Sequence, residues 1–190
     1  MQMPGQEDNM LIQETLKGNS YAYAELLDRY ERRVYNFVYY ILKHREEAEE
    51  TVQDTFVNAY RSLKSFRAEA RFSTWLLRIA YNNAYTRLRK RKLTVVDVEV
   101  NGVHQSIPGV NNIGEETDRQ DVRTLLTLAM QALSEDEQTL VTLYYYNEQT
   151  IKEICEITGK HVSNVKVMLH RSRQKMLQKL NEVGIKEWTI

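Results

Sequence analysis

Pro4 and Pro108 are the only prolines in a chain of 190 residues, and this constrains the fold more than any other feature of the sequence. A proline inside a helix removes a backbone donor and clashes with the preceding turn, so the stretches on either side of Pro108 are open to long helices. Glycines are almost as sparse. Of seven in the chain, three fall within the single segment Thr94–Gly114, TVVDVEVNGVHQSIPGVNNIG. The helix breakers are thus gathered at one place, and the chain reads as two helical parts with a division between them.

Hydrophobic periodicity agrees. Tyr23, Leu27, Tyr30, Val34, Phe37 and Ile41 recur at steps of four and three, the spacing of one buried helical stripe. Ala48, Val52, Phe56, Ala59 and Leu63 repeat the pattern. A third helix is expected to begin near Ser73, a candidate N-cap, with Leu76, Ile79 and Ala80 turned inward and Phe72 just ahead of it. Together these three bury one core between Tyr21 and Lys92. Beyond the division, Val122, Leu125, Leu126 and Ala129 resume helical spacing. Glu115, Glu116 and Asp118 precede them, where the helix dipole favours acids. Ser134 and Glu137 have the spacing of a capping box ahead of Leu140, Val141, Leu143 and Tyr144. Val96, Val98 and Val100 alternate like a strand, but a lone strand has no partner. The run reads as extended linker, able to span up to ~70 Å. The fold class is all-α: two small helical domains joined by a flexible linker.

A net charge of zero conceals a split. Residues 1–92 carry 16 basic and 12 acidic groups, and residues 93–190 carry 10 and 14. Arg61–Lys92 has ten Lys and Arg against one acid, Glu69. Gly159–Leu180 has six and no acid. Local clusters of this kind mark surfaces that meet phosphate, whatever the overall charge. One cysteine rules out an internal disulfide and fits a reducing compartment. No apolar run approaches the length of a membrane span, and the start, Met1–Asn9, lacks the basic-then-apolar order of a secretory signal. The expectation is a cytoplasmic protein without membrane insertion.

The segment Thr150–Leu169, TIKEICEITGKHVSNVKVML, has the spacing of a helix-turn-helix. Ile151, Ile154 and Ile157 pack the first helix. Cys155 is small where the second helix crosses, and Gly159 sits in the turn, where a positive φ is easiest for glycine. Ser163 is placed to cap the second helix, and Val165 and Leu169 point back to the core. Opposite them stand Asn164, Val167, Arg171 and Gln174, flanked by Lys166, Arg173 and Lys175. This suits a recognition helix in a major groove, with Asn and Arg reading base edges and Lys holding phosphate.

The first part has two contrasting faces. Glu47, Glu50 and Asp54, with Gln53 beside them, lie opposite the Ala48/Val52/Phe56 stripe. They form either a solvated face or a docking surface for a basic protein. In RFSTWLLRIAYNNAYTRLRKRK (Arg71–Lys92), Arg78, Asn82, Tyr85 and Arg89 form one stripe, with Phe72, Ser73, Thr74 and Trp75 at its head. Aromatics interleaved with Arg and polar side chains suit single-stranded DNA, rings receiving unstacked bases while cations hold the backbone. At least one of Phe72 and Trp75 is expected in the core.

In this order (an acidic EEAEETVQDTF helix, FSTWLLRIAYN with RLRKRK, a linker, and a helix-turn-helix ending VKVMLHRSRQKML) the chain resembles the extracytoplasmic-function sigma factors of the sigma-seventy family, from Tyr21 to Leu180. The resemblance implies three parts. Residues 1–92 dock on the RNA polymerase clamp and open the minus-ten element. Residues 93–114 link, and residues 115–190 read the minus-thirty-five element. It assigns polymerase docking to Glu47, Glu50, Gln53 and Asp54. It assigns minus-ten contacts to Arg67, Arg71, Phe72, Ser73, Thr74, Trp75, Arg78, Asn82 and Arg89, with the Arg67–Arg71 loop bordering a flipped-base pocket. Minus-thirty-five contacts fall to Ser163, Asn164, Lys166, Val167, Arg171, Arg173, Gln174 and Lys175. The implied partners are core RNA polymerase, promoter DNA and an anti-sigma factor, with no cofactor, metal, small-molecule substrate or catalytic residue. Thr86, Val167 and Met168 depart from the usual pattern, so promoter sequence does not carry over. The alternative is a free-standing helix-turn-helix regulator of duplex DNA, which leaves the acidic helix unexplained. A DNA-processing enzyme does not fit: His44, His104, His161 and His170 are scattered and there is no P-loop.

Overall fold

The protein is described here from a computed structural model that covers residues 4–94 and 125–182. Both described stretches are helical. The first contains α1 (Pro4–Leu16), α2 (Ser20–Leu42), α3 (Arg45–Ser62) with a short 3₁₀ turn Leu63–Ser65, and α4 (Phe72–Thr94). The second contains helical residues 125–131 (α5), α6 (Glu135–Val141) continuing into a π-type turn Thr142–Tyr146, α7 (Ile151–Thr158) and α8 (Val162–Glu182). The Val96/Val98/Val100 run, the acids Glu115, Glu116 and Asp118, and Val122 lie outside the described residues.

Local chemistry sets the boundaries. Asn19 caps α2 by accepting the Tyr21 N–H at 3.1 Å. The helix ends at Lys43, which adopts a left-handed φ of 52° and donates its N–H to the Tyr39 carbonyl. His44 then caps α3 through Nδ1. Ser134 and Glu137 make the expected reciprocal capping box on α6, and Thr150 with Glu153 makes a second on α7. Two expected caps are displaced. The Arg71 carbonyl accepts the N–H groups of Thr74 and Trp75, so α4 starts one residue before Ser73, and Ser73 is buried within its first turn. The His161 carbonyl accepts the Val165 N–H, so α8 likewise starts ahead of Ser163. In both cases a serine near the helix start was legible but the register was one or two residues off.

The α3 stripe falls where the periodicity puts it, while Tyr23, Leu27 and Tyr30 of α2 and Ile79 of α4, expected inward, are only half-buried against the core. Ala48, Val52, Phe56, Ala59 and Leu63 are all buried, as are Leu26, Val34, Phe37, Ile41 and Leu42 of α2 and Leu76, Leu77, Ala80, Ala84 and Leu88 of α4. Each large aliphatic or aromatic so removed from water contributes about 1.5–3 kcal/mol. Helix α1, absent from the sequence reading, packs on α2. Its inward face is Asp8, Ile12 and Thr15, only one of them apolar. Asp8 is stabilised there by the Arg29 guanidinium at 2.8 Å and the Tyr30 hydroxyl.

The two regions do not stand apart. Helix α4 packs on α7, and α2 packs on α6 and its π-type turn, so one continuous hydrophobic cluster runs from Ile12 to Leu180.

Candidate nucleic-acid interface

The helix-turn-helix is built as its sequence implies. Gly159 closes α7 with a φ of +72° and donates its N–H to the Cys155 carbonyl at 2.8 Å, a left-handed C-cap that turns the chain into α8. Ile154, Ile157, Val165 and Leu169 are buried at the junction. Opposite them Ser163, Asn164, Lys166, Val167, Arg171 and Gln174 are all exposed on one side of α8. Two flanking cations have internal partners. The Lys175 ammonium lies 2.8 Å from Glu137 Oε1. The Arg173 guanidinium sits over the rings of Tyr144 and Tyr145 and donates from Nε to the Tyr145 hydroxyl. Burial works to raise the Glu137 carboxyl, but Lys175 and the hydrogen bonds from Ser134 outweigh it and hold it below the usual carboxylate value.

On the first region, Glu47 is half-buried while Glu50, Gln53 and Asp54 are exposed on the outer face of α3. This acidic face is stitched to α4 by two arginines that the sequence reading left out. The Arg87 guanidinium donates to the Glu47 carbonyl at 2.9 Å, to Thr51 Oγ1 at 3.1 Å and to the Glu50 carboxylate. Arg91 reaches the Leu42 carbonyl and stands 3.5 Å from Glu47 Oε2. Their signal was the spacing, since Arg87 and Arg91 are four residues apart on the α4 face that meets α3.

The loop before α4 shapes a cleft of ≈ 320 Å³ lined by Phe66, Arg67, Glu69, Trp75, Arg78 and Glu156, among others. Its backbone is forced into a left-handed conformation at Ala68, φ 56°, a conformation that costs a non-glycine residue about 1–2 kcal/mol. Phe66, Phe72 and Trp75 pack as an aromatic trio with ring centres 5.4–5.8 Å apart. Phe72 is a core residue and Trp75 is half-buried, so Trp75 and Phe66 are the rings that face the cleft. Arg67, Arg71, Arg78, Asn82 and Arg89 are exposed. Ser73 and Thr74 are not, at 6% and 2%. The Thr74 hydroxyl lies 2.9 Å from Gln149 Oε1 and 3.2 Å from Glu153 Oε1, both on the other region.

That seam is polar and continuous. Arg33 donates from Nε to Asn147 Oδ1 at 3.1 Å and from Nη2 to the Asn147 carbonyl. The Tyr85 hydroxyl donates to Asp136 at 2.9 Å, Tyr40 packs on Tyr146, and Arg71 Nε stands 3.8 Å from Glu153. Burial works to raise the Glu153 carboxyl. Hydrogen bonds from Thr150 and Thr74, with Arg71 close by, outweigh it and hold the group below its ordinary value. No helix among the described residues is long and apolar enough to cross a membrane.

The same two regions emerge from comparison with known proteins. Residues 26–94 match the family model described as Sigma-70 region 2, and residues 123–176 match Sigma-70, region 4. The chain is similar to the ECF RNA polymerase sigma factor SigW of Bacillus subtilis (strain 168), 31% identical over 179 residues, covering 90% of this chain and 96% of the relative. It is also similar to the ECF RNA polymerase sigma-E factor of Escherichia coli (strain K12), 28% identical over 177 residues, covering 88% and 91%. Among solved structures, CnrH in complex with the cytosolic domain of CnrY superposes with a TM-score of 0.67 at 19% identity, covering 93% of this chain and 98% of that one. The sigma factor RpoE in complex with the anti-sigma factor NepR from Bartonella quintana superposes with a TM-score of 0.65 at 24% identity, covering 85% and 98%.

Proposed function

The chain belongs to the extracytoplasmic-function sigma factors of the sigma-70 family, non-enzymatic subunits that direct core RNA polymerase to promoters, and on that premise we propose which of its surfaces does each part of the work. The outer face of α3, with Glu50, Gln53 and Asp54 exposed and Glu47 half-buried at its edge, docks on the polymerase. Arg87 and Arg91 position it by fixing Glu50 and Glu47 on the helix wall. The cleft beneath the Arg67–Arg71 loop receives an unstacked base of the minus-ten element, with Phe66 and Trp75 as ring surfaces and Arg67, Arg78, Asn82 and Arg89 along the backbone path. Helix α8 enters the major groove of the minus-thirty-five element with Asn164, Val167, Arg171 and Gln174 toward the bases and Lys166 toward phosphate.

We keep the domain boundaries that the resemblance implies, 1–92, 93–114 and 115–190, with α4 running on to Thr94. Promoter opening needs no chemistry beyond binding: docking holds two DNA readers on one enzyme, and capture of unstacked bases favours the melted strand. A protein of this kind works in the cytoplasm, where polymerase is. Both superposed relatives were solved as complexes with a second protein, one of them an anti-sigma factor, and an anti-sigma factor is the regulatory partner we assign here.

The observation that carries this reading is the exposed face of α8, held outward by the left-handed Gly159 cap. The test is run-off transcription with purified core polymerase, genomic templates and variants on each surface. Wild-type chain gives discrete transcripts. Glu50→Ala with Asp54→Ala, Arg78→Ala and Arg171→Ala each reduce them. Undiminished transcription from any one of these variants removes that surface from the assignment.

A further inference from the structure

The outward face of α8 carries one side chain with no donor or acceptor to offer. Val167 is 46% exposed and stands three residues after Asn164 and four before Arg171, on the same side of the helix. Val165, Leu169, Ser172 and Met176 take the opposite side into the core. Val167 and Met168 both depart from the usual pattern, but Met168 packs against the core, so Val167 is the one of the pair that reaches outward. A lone valine on a solvated surface needs no explanation. One set among groups that read base edges has a consequence, because the base pair it meets finds no hydrogen-bond partner there. Side-chain length adds a second constraint. On the outward face Ser163, Asn164 and Val167 are short and occupy the first two turns, while Arg171 and Gln174 are long and follow them. The start of α8 must therefore come closest to the base edges, where a side chain as short as valine touches a base.

The major-groove edges of the bases present donors, acceptors and one apolar group, the C5-methyl of thymine. We propose that Val167 packs on that methyl and selects an A·T pair at its step of the duplex element. This rests on the reading of α8 as the major-groove helix. Valine suits the role, since its branched Cβ holds essentially one χ1 rotamer in a helix, and both methyls meet the base already ordered. Attraction and exclusion act together. The thymine methyl leaves water against Cγ1 and Cγ2. A guanine or cytosine at the same step sets O6, N7 or the N4 amino group against aliphatic carbon, where each loses its water and gains no partner. Asn164 and Arg171, on either side, keep their polar partners on neighbouring base pairs.

The test uses holoenzyme, the full chain assembled on purified core polymerase, which selects duplexes from a randomised pool. In the enriched duplex each thymine is replaced in turn by deoxyuridine, which lacks only the methyl, and binding is followed by fluorescence anisotropy. For the wild-type chain one such replacement is expected to weaken binding about fourfold, the effect of one methyl group taken from water. Val167→Ala is expected to bind the thymine duplex about fourfold more weakly and to be indifferent to that same replacement. An equal loss in both holoenzymes, or no loss in wild type, refutes the methyl contact, and a selectivity that Arg171→Ala still changes then leaves α8 as the reader. If Arg171→Ala selects the same duplex with the same affinity, α8 is not in the groove and the inference falls with that reading.

Discussion

The Thr74 hydroxyl sits 2.9 Å from Gln149 Oε1 across the seam between the two regions, and both residues are almost wholly removed from water. Gln149 in turn donates from Nε2 to the Asn147 carbonyl at 2.8 Å, and Asn147 holds Arg33. A buried polar chain of this kind is sensitive to loss of any one donor, because the acceptor left behind bears its full desolvation cost. Thr74→Val is isosteric and removes only the donor. It is expected to lower stability by about 1–3 kcal/mol in urea unfolding, whereas Thr74→Ser is expected to be close to neutral. Equal stability of the valine variant and wild type would mean that the regions do not close in solution.

Glu50→Ala with Asp54→Ala is expected to weaken association with core polymerase in a pull-down while leaving the circular dichroism spectrum unchanged. Both side chains are on the outer face of α3, and exposed charges of this kind contribute little to folding. Arg87→Ala is the informative companion. It leaves both carboxylates in place but removes the guanidinium that links Glu50, Thr51 and the Glu47 carbonyl. A positioning role gives weaker polymerase binding with Arg87→Lys rescuing only in part, since lysine cannot fork. Full binding by Arg87→Ala sinks it.

How much of this was legible beforehand follows from the kind of signal each element carries. The stripe Ala48/Val52/Phe56/Ala59/Leu63 was readable because every member is apolar and every member is buried. Helix α1 was not, because its inward face presents Asp8 and Thr15 as well as Ile12, and only the partners Arg29 and Tyr30 on another helix make burial of that carboxylate tolerable. The helix-turn-helix was readable from Gly159, whose positive φ is a local requirement. Burial of Thr74 was not, because its cause, Gln149 and Glu153, lies on the other region. Lys175 looked like a free phosphate contact for the same reason, its partner Glu137 being far away in sequence. Local propensity and period were visible, and pairings between the regions were not.

On α8 the structure separates two kinds of cation. Arg171 is exposed at the centre of the outward face and is expected to cost about 1–3 kcal/mol of binding when replaced by alanine if it reads a base, with the loss confined to duplexes carrying that base. An equal loss on every duplex reduces it to a phosphate contact. Lys175→Ala is expected to act on the fold instead, by about 1–2 kcal/mol. It leaves the largely buried Glu137 carboxylate short of a partner, though the ammonium itself is half in water and the pair is worth less than a fully buried one. Thermal unfolding distinguishes the two variants, with Lys175→Ala melting lower and Arg171→Ala melting with wild type.

The same carboxylate gives the chain an acid limb. Glu137 has its folded-state pKa held below the ordinary value of 4.5 by Lys175 and Ser134 working against burial, and Glu153 is depressed likewise by Thr150, Thr74 and Arg71. A depressed carboxyl contributes stability that is complete above its unfolded value and is lost as pH falls through the folded one. The chain is therefore expected to hold constant stability from neutral pH down to the upper fours, then to weaken progressively below 4.5. Glu137→Gln, which keeps a capping partner for Ser134 but cannot be titrated, is expected to be less stable at neutral pH and to lose less on acidification. Urea midpoints measured for both chains across this range decide the matter: parallel curves mean that Glu137 does not drive the acid limb, and convergence toward low pH means that it does.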